Sequence, residues 1–470
     1  MADGYSLNTP TGYMKRFFEP DTVALIGASA VQSNPGYDLF LNMRDCFGEN
    51  FYPVNPRVEE IDGIRCYPTI LDVPVDIDLA VVFIPARFIP VALEQCAQKN
   101  ITRVVIQSGG FAESGPEGVA INERCLEIAR QNGIRVWGPN CMGLINVTQM
   151  KVLSFMKQFL WKEKFVKGPI SLVVQSGMLS AGFLATILGK TPFGLSKVAS
   201  LGNKMDVDES DMMAYLIDDP ETRVIALYLE SIKDGRRFYE LCRSTHKPIV
   251  ILKSGRTRLG AAAATSHTAS LAQNDAIIDG MLRQAGVIRV FDMNDLLNTA
   301  RCLGISRIVP KPGHGRVAVL TFSGGAGVVT TDSLADYDVQ LADFPITLKN
   351  ELKTVFPDWM DPSNPLDLFP AVAQNGPDKV YHYCLEKVLD DPGVAGVFLH
   401  IFTWFALRSK IGFEKIAQLA ESKNKPVIVW ILGEGDANRK LSLHLESLGI
   451  PVVEEISDGI RVLSAMIRGR

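Results

Sequence analysis

Short apolar runs alternate with longer amphipathic segments along the first third of the chain. The first run begins after Thr22 and predicts a strand there. Three further runs predict strands over Asn50–Asn55, Leu79–Pro85 and Arg103–Ser108. Apolar residues at helical spacing separate the later strands and predict two helices, Phe88–Lys99 and Glu117–Gln131. This alternation is typical of a doubly wound parallel sheet, a Rossmann-like α/β fold that binds ligands at the carboxyl ends of its strands.

The segments that follow these strands form one set of candidate ligand-binding residues. The set is Gly27, Ala28, Ser29, Asn55, Arg57, Pro85, Ser108 and Gly109. An NAD site would have G-x-G-x-x-G after the first strand and an acidic residue after the second. This chain has Gly-Ala-Ser-Ala and then Asn55-Pro56-Arg57. Because an arginine attracts phosphate, the pattern favours a nucleotide with an extra phosphate, such as coenzyme A or NADP. A solvated surface charge is the alternative for Arg57.

A glycine-rich turn ends this region. The strand over Ile134–Trp137 leads into Gly138-Pro-Asn140-Cys141-Met-Gly143. Small residues in such a turn indicate that the backbone closely approaches a ligand or another domain, and Asn140 joins the candidate residues. Cys141 could be a nucleophile, but without a neighbouring base a buried structural thiol is the favoured interpretation.

The stretch from Lys151 to Lys167 is basic and carries apolar residues at helical spacing. These residues are Val152, Phe155, Met156, Phe159 and Leu160. The spacing predicts a short amphipathic helix that crosses between domains, in preference to a segment that contacts a membrane.

The remaining chain contains an internal repeat, in which two copies of one pattern follow each other. Four segments of the first copy match four of the second in the same order: Ile170–Ser176 with Val317–Ser323, Val224–Glu230 with Val394–His400, Lys247–Lys253 with Lys425–Ile431, and Ala285–Val290 with Leu448–Val453. Each pair has the pattern of a buried strand. We therefore predict two flavodoxin-like domains after the first domain, with boundaries at 1–147, 148–310 and 311–470.

Both copies open with a strand, a Ser-Gly turn and a helix. The turns comprise Ser176, Gly177 and Met178 in the first copy and Ser323, Gly324, Gly325 and Ala326 in the second. Free backbone N–H groups and the positive end of a helix make each turn a candidate phosphate site. If the copies pack about a pseudo-twofold axis, both turns can face one phosphoryl group.

One histidine lies among small residues in the stretch from Gly255 to Ala272. His267 follows a predicted strand of the first copy, whereas the second copy has Gly433-Glu-Gly-Asp436 at that place. An imidazole is nucleophilic and uncharged near neutral pH, so His267 is a candidate catalytic nucleophile. Glu230, at a strand end of the same copy, is the candidate group that orients the ring. The alternatives are a hydrogen-bonded structural histidine and a surface carboxylate in an ordinary ion pair.

Composition excludes several classes of function. With 47% hydrophobic and 21% charged residues over 470 positions, the chain is typical of a globular protein. A net charge of -4 argues against nucleic-acid binding. The eight cysteines show no C-x-x-C pair, which indicates neither a disulfide framework nor a zinc site and favours the reducing cytoplasm. Met1–Thr11 lack a signal-peptide pattern and no apolar run approaches the ~20 residues of a membrane span.

A series of motifs spread over nearly the whole chain resembles one known family. The motifs are Ile-Gly-Ala-Ser (26–29), Tyr-Pro-Val-Asn-Pro (52–56), Gly-Pro-Asn-Cys-x-Gly (138–143), Gln-Ser-Gly (175–177), Ser-Leu-Gly-Asn-Lys (200–204), Asp-Asp-Pro-Glu-Thr (218–222), Ser-His-Thr-x-Ser-Leu-Ala (266–272), Ser-Gly-Gly-Ala-Gly (323–327) and Asn-Pro-Leu-Asp-Leu (364–368). Their order and spacing are similar to those of the alpha subunit of ADP-forming acyl-CoA synthetases, relatives of succinyl-CoA synthetase.

The resemblance implies a fold and a reaction. The first domain would bind coenzyme A, and the two flavodoxin-like domains would be of the succinyl-CoA synthetase type. An acyl-CoA and phosphate would give an acyl phosphate and free coenzyme A, the acyl phosphate would phosphorylate His267, and the phosphoryl group would pass to ADP. Because the chain has no G-x-x-x-x-G-K-[ST] loop, Mg²⁺ and ADP or ATP would be bound by a separate ATP-grasp beta subunit, in an α2β2 complex. The segment from Gly255 to Ala272 would swing between the two chains.

Three places depart from the family pattern. Ala269 and Gln273 stand where the family usually has glycine, and Val147–Met156 differs from the usual linker. The two lost glycines could stiffen the loop, which keeps open a non-catalytic CoA-binding regulatory or scaffold protein of the same fold. An NADP-dependent oxidoreductase is a third hypothesis that rests on the sheet and Arg57 alone. The sequence indicates a small carboxylic acid or acyl-CoA substrate without identifying its acyl group.

Overall fold

The computed structural model describes residues 10–189, 193–262, 273–308, 315–337, 339–404 and 411–468. The chain divides into two compact units, one that extends to Leu296 and one that begins at Leu297. His267 and Ala269 lie outside the described residues. The domain boundaries at 147 and 310 remain a prediction.

The first unit contains a five-stranded and a seven-stranded sheet, and the five-stranded sheet is parallel throughout. Its strands are β1 (Val23–Ile26), β2 (Phe51–Val54), β5 (Leu79–Val82), β6 (Arg103–Ile106) and β7 (Arg135–Trp137), in the order β2-β1-β5-β6-β7, and a small hairpin of β3 (Glu60–Ile61) and β4 (Ile64–Arg65) follows β2. The helices of this region are α1 (Pro10–Phe18), α2 (Pro35–Phe47), α3 (Ile89–Gln98) and α4 (Pro116–Gln131). The predicted Rossmann-like sheet is therefore present.

The second sheet of this unit has seven strands. They are β8 (Gly143–Asn146), β9 (Lys151–Ser154), β10 (Lys167–Val174), β11 (Leu195–Ser200), β12 (Val224–Leu229), β13 (Ile249–Lys253) and β14 (Ile288–Val290), in the order β14-β13-β12-β10-β11-β8-β9. The helices of this unit are α5 (Gln158–Trp161), α6 (Gly177–Gly189), α7 (Glu209–Asp218), α8 (Gly235–Ser244) and α9 (Asp275–Ala285). Helix α10 (Met293–Ile305) begins in this unit and continues past Leu296 into the second. The strands from β10 to β14 are parallel, whereas β8 is antiparallel to β11 and β9.

The helix predicted over Lys151–Lys167 is wrong for most of its length. Residues Lys151–Ser154 form strand β9, and only Gln158–Trp161 is helical. The backbone here is held as a strand because β9 pairs with β8 and because the buried Asn42 amide donates to the carbonyls of Ser154 and Met156 at 2.6 and 2.7 Å. The apolar spacing fits a strand and a turn as well as it fits a helix.

The second unit repeats the central part of the second sheet. Its strands are β15 (Arg316–Thr321), β16 (Leu366–Asp367), β17 (Val394–Phe402), β18 (Val427–Leu432) and β19 (Val452–Val453), in the order β16-β15-β17-β18-β19. Its helices are α11 (Gly324–Asp336), α12 (Ile346–Lys353), α13 (Phe369–Asn375), α14 (Pro377–Asp390), α15 (Phe413–Lys423), α16 (Gly435–Ser447) and α17 (Ile456–Arg468). The order β19-β18-β17-β15 equals the order β14-β13-β12-β10, which confirms the predicted repeat.

One hydrophobic core joins the two sheets of the first unit. Alternate residues of β1 point to opposite faces, so that Val23 and Leu25 belong to a different cluster from Ala24 and Ile26. The cluster of Val23 continues into β12 and β13 of the second sheet. The buried Trp137 indole also donates to the Ser200 carbonyl at 2.7 Å, which fixes β7 against β11. The strand ends of both sheets are thereby held at fixed positions.

Candidate functional site

The loops after β1 and β2 are tied to each other at the edge of the first sheet. Gly27 has φ +100°, and a Cβ there would lie 2.3 Å from the carbonyl oxygen of Phe83, so only glycine fits. The Asn55 amide donates to the Ala28 carbonyl at 2.7 Å, and its oxygen accepts from the Arg57 N–H at 2.9 Å. The Arg57 side chain is exposed beside this junction. The structure thus brings Gly27, Ala28, Asn55 and Arg57 together.

A second group of predicted residues meets at the ends of β6 and β7. The N–H of Asn140 donates to the Ser108 carbonyl at 2.9 Å, and a Cβ on Gly109 would lie 3.3 Å from the Asn140 side-chain oxygen. A Cβ on Gly110 would lie 3.3 Å from the Ala86 Cβ, which places the loop after Pro85 alongside. The Ser108 hydroxyl is buried and has no hydrogen-bond partner among the described residues. Such an atom gains most from a ligand that can pair with it.

Glu113 organises this second group, although the sequence analysis did not single it out. One of its carboxylate oxygens accepts from the N–H groups of Gly110 and Phe111 at 2.7 and 3.2 Å. The other accepts from the Asn203 amide at 2.6 Å. No local pattern marks the link from Glu113 to the second sheet, because Asn203 lies in a turn 90 residues later in the chain.

Cys141 has no features of a nucleophile. Its thiol is buried and lies 3.4 Å from the Ile106 carbonyl, and burial raises the pKa of Cys141 to about 12. Since the thiolate is the reactive form, this thiol is inert near neutral pH. The interpretation of Cys141 as a buried structural cysteine is confirmed.

The turn that contains Asn140 and Cys141 lies against the first Ser-Gly turn. A Cβ on Gly177 would sit 3.4 Å from the Met142 nitrogen and 3.7 Å from the Asn140 carbonyl oxygen. Gly177 opens α6, the Ser176 carbonyl accepts from the Ser180 N–H at 3.0 Å, and Met178 is exposed. The predicted phosphate turn therefore adjoins the predicted coenzyme-binding residues.

The four residues after β12 form a loop, Glu230–Lys233, whose backbone is held mainly by side chains. The Gln175 oxygen accepts from the N–H groups of Glu230 and Ser231 at 2.8 and 3.0 Å. The Lys253 ammonium donates to the Glu230 carbonyl at 2.8 Å, and the Lys204 ammonium donates to the Ser231 carbonyl at 2.8 Å. Gln175 directly precedes the Ser176 turn, so the phosphate turn and the Glu230 loop are joined through one residue.

Two buried lysines give this loop its electrostatic character. Burial lowers the pKa of Lys253 to about 8, against the opposing effect of the Asp275 carboxylate. Burial also lowers the pKa of Lys204, whose ammonium pairs with the buried Glu209 carboxylate at 2.8 Å. Burial raises the pKa of Tyr228, and the hydrogen-bonded Glu230 carboxylate adds to that shift. The Glu230 carboxylate thus interacts with the Tyr228 hydroxyl and with the Lys253 ammonium.

The second Ser-Gly turn, in the second unit, has a carboxylate beside it. Ser323 caps α11 in an extended conformation, and its N–H donates to the Thr321 hydroxyl at 3.2 Å. A Cβ on Gly324 would lie 3.3 Å from an oxygen of Asp367, so this helix start already faces a negative charge. Gly324 and Gly325 are exposed. In the sequence Asp367 is only part of the motif Asn-Pro-Leu-Asp-Leu, and nothing marks it as a neighbour of this turn, since a carboxylate is not expected beside a phosphate site.

The described ranges contain neither a metal-ligating cluster nor a membrane-spanning helix. Across residues 10–468, outside the gaps given above, no group of three or more His, Cys, Asp or Glu side chains is arranged to hold a metal ion. No helix in the same ranges has the length and apolar character to cross a membrane. The six histidines include His267, whose geometry falls outside these ranges.

Two parts of the chain match known protein families. Residues 21–147 match the family model described as a CoA binding domain, and residues 167–303 match the succinyl-CoA ligase like flavodoxin domain. The two matched ranges coincide with the first sheet and most of the second.

Similar proteins cover almost the whole chain. An alpha subunit of acetate–CoA ligase [ADP-forming] II from Pyrococcus furiosus is 34% identical over 96% of this chain and 97% of its own length. Acetate–CoA ligase [ADP-forming] II from Archaeoglobus fulgidus is also 34% identical over 97% of this chain, which spans 67% of that longer protein. A solved structure of acetyl-coenzyme A synthetase 1 from Candidatus Korarchaeum cryptofilum, in complex with phosphate and ADP, aligns with a TM-score of 0.82 at 28% identity over 96% of both chains.

Proposed function

Since this chain belongs to the family of ADP-forming acetate–CoA ligases and their alpha subunits, we propose that it interconverts an acyl-CoA, ADP and phosphate with a carboxylic acid, ATP and coenzyme A. The reaction would proceed through an acyl phosphate and a phosphohistidine. The observation that supports this most is the adjacency of three parts: the coenzyme-side turn at Asn140, the Ser176 turn and the Glu230 loop. A phosphoryl relay needs these parts within reach of one another.

We assign coenzyme A to the edge of the first sheet. Gly27, Ala28, Ser29, Asn55, Arg57, Pro85, Ser108, Gly109 and Asn140 would hold it. The residues fit the group, because the Gly27 turn has no room for a side chain and the buried Ser108 hydroxyl has no hydrogen-bond partner in the described part of the chain. The exposed Arg57 guanidinium suits a phosphate of the nucleotide.

We assign the phosphoryl transfer to His267 and Glu230. The Glu230 carboxylate would accept a hydrogen bond from one ring nitrogen, which leaves the other nitrogen as the nucleophile and stabilises the positive charge that develops on the ring. The N–H groups of Ser176, Gly177 and Met178 would stabilise the phosphoryl oxygens, as would those of Ser323, Gly324, Gly325 and Ala326 from the other copy. The Asp367 carboxylate would favour a protonated or metal-bound phosphate at the second turn.

We propose an ATP-grasp beta subunit as the partner, in an α2β2 complex that supplies Mg²⁺ and the ADP or ATP site. The relative from Pyrococcus furiosus is itself named a subunit alpha, which supports a partner chain. We also propose that the complex acts in the cytoplasm, since all eight cysteines are free thiols and seven of them are buried.

The test is transfer of a labelled phosphoryl group. Incubation with radiolabelled ATP, Mg²⁺ and the beta subunit should label this chain at an acid-labile, base-stable site, and His267→Ala should abolish the label. Label that persists in His267→Ala would refute the assignment of that residue. Coenzyme A binding by calorimetry with no phosphoenzyme under any condition would instead support the scaffold alternative, which the ligase names of the relatives disfavour.

A further inference from the structure

Gln273 makes two hydrogen bonds to one residue of the Glu230 loop. Its side-chain oxygen accepts from the Ile232 N–H at 3.1 Å, and its side-chain nitrogen donates to the Ile232 carbonyl at 2.7 Å. Both bonds form in only one orientation of the amide, so the contact fixes the Gln273 side chain and the Ile232 peptide groups together. The Gln273 side-chain amide therefore pairs with the N–H and the carbonyl of Ile232 as the backbone of a neighbouring strand would.

The ties to the Glu230 loop come from separate segments of the chain. Gln175 binds the N–H of Glu230, Lys253 binds its carbonyl, and Gln273 binds the residue two positions later. Ile232 is 2% exposed, so its N–H and carbonyl have little access to water when the amide is absent. A buried peptide group that lacks a hydrogen-bond partner is destabilising, so the backbone around it shifts to restore a hydrogen bond. The loop would therefore shift at Ile232 if Gln273 were lost.

We infer that Gln273 is a positioning residue, which holds the Glu230 carboxylate in place by fixing the backbone at Ile232. The inference rests on the proposed role of Glu230 in phosphoryl transfer. The family that this sequence resembles usually has glycine at this position. A glycine carries no side chain and could not make this contact. Gln273 therefore supplies to this chain a restraint that the family pattern lacks.

Three variants separate positioning from general stability. Gln273→Met keeps the volume of the side chain and removes both hydrogen bonds, and Gln273→Gly restores the family residue. Asn274→Ala is the matched control, because Asn274 caps α9 by accepting from the Ala276 N–H at 3.0 Å and makes no hydrogen bond to Ile232 among the described residues. Loss of a cap lowers stability without a change in the Glu230 loop.

The first readout is hydrogen exchange, followed by mass spectrometry, in the intact chain. We expect the amides of Glu230–Lys233 to exchange at least about tenfold faster in both Gln273 variants and to keep their protection in Asn274→Ala. Equal exchange in Gln273→Met and the wild type would overturn the inference, whether or not the chain is phosphorylated.

The second readout is the rate of phosphoenzyme formation in the complex with the beta subunit. We expect Gln273→Met to lower that rate about ten- to hundredfold, with the KM for the acyl-CoA unchanged, and Asn274→Ala to stay within about twofold of the wild type. Faster exchange with an unchanged rate would overturn the positioning role. If the wild type itself forms no phosphoenzyme, the proposed function fails, and the catalytic part of the inference fails with it.

Discussion

The side-chain oxygen of Gln175 accepts a hydrogen bond from the backbone N–H of Glu230 at 2.8 Å. Gln175 directly follows β10 and Glu230 directly follows the neighbouring β12, so the contact links the ends of two parallel strands. The same oxygen accepts from the Ser231 N–H at 3.0 Å, and Gln175 is 2% exposed. The buried Gln175 carboxamide therefore fixes the backbone of the first two residues of the Glu230 loop.

Gln175→Met should destabilise the first unit. The thioether is too weak an acceptor to replace the carboxamide oxygen, which leaves the buried N–H groups of Glu230 and Ser231 without their partner, at a cost of about 1–3 kcal/mol for each group. Urea unfolding should show a loss of at least about 2 kcal/mol. Thr186→Ala, on the outer part of α6, should change the free energy of unfolding by less than about 0.5 kcal/mol. An unchanged midpoint in Gln175→Met would contradict the assigned role.

Lys253 should make stability rise with pH above neutrality. Burial lowers its pKa to about 8 in the folded chain, whereas the unfolded chain keeps the ordinary value of 10.5. Between these values the unfolded state binds more protons, so the free energy of unfolding increases with pH by up to about 3 kcal/mol. Comparison of the wild type with Lys253→Met at pH 7.5, 9 and 10.5 isolates this contribution, because the other groups titrate in both proteins. A constant difference across the three pH values would contradict the prediction.

His400 should make the second unit sensitive to acid. Its ring is fully buried between the Thr321 and Thr330 hydroxyls, and burial lowers its pKa to about 3 from 6.5. The folded chain keeps the ring neutral, whereas the unfolded chain protonates it below pH 6.5. The free energy of unfolding therefore falls by up to about 4 kcal/mol as the pH falls from 6.5 towards 3. His400→Gln removes the titration, so its stability relative to the wild type should improve steadily from pH 6.5 to pH 4. Parallel pH profiles for the two proteins would show that burial of His400 carries no such penalty.

Arg57 should distinguish coenzyme A from dephospho-coenzyme A. If its exposed guanidinium binds the extra phosphate, calorimetry should show that Arg57→Ala weakens binding of coenzyme A by about 1–2 kcal/mol and leaves binding of dephospho-coenzyme A unchanged. Arg87→Ala, in the short helix Ala86–Phe88 that follows β5, is the comparison variant for a general loss of positive charge. Equal weakening of both ligands by Arg57→Ala would place the extra phosphate elsewhere.

Much of the fold follows from local patterns. The strands of the first sheet and the two Ser-Gly turns are visible as apolar runs that end in small residues, since a strand buried on both faces needs continuous apolar side chains. The segment from Lys151 to Lys167 shows the limit of such patterns. Val152, Phe155 and Met156 fit a helix by spacing, but pairing of β9 with β8 and the Asn42 contacts hold this backbone as a strand and a turn.

The contacts that shape the candidate site could not be predicted in the same way. Gln175 and Glu230 are 55 residues apart in sequence, and Gln273 and Ile232 are 41 residues apart. A glutamine has no sequence signature for the distant amide that it will bind, and the same holds for Glu113 and Asn203. The departure from glycine at Gln273 was visible as a possible stiffening of the chain, but its partner was not.

The sequence by itself determined most of the strands and helices, the repeat and the family motifs, because these depend on residues that are neighbours or regularly spaced. Only the tertiary structure decided which polar side chains hold Glu230, why the Lys253 pKa falls and why the β8–β9 hairpin extends the second sheet. These properties arise from burial and from hydrogen bonds between distant segments, which exist only when the strands are aligned side by side.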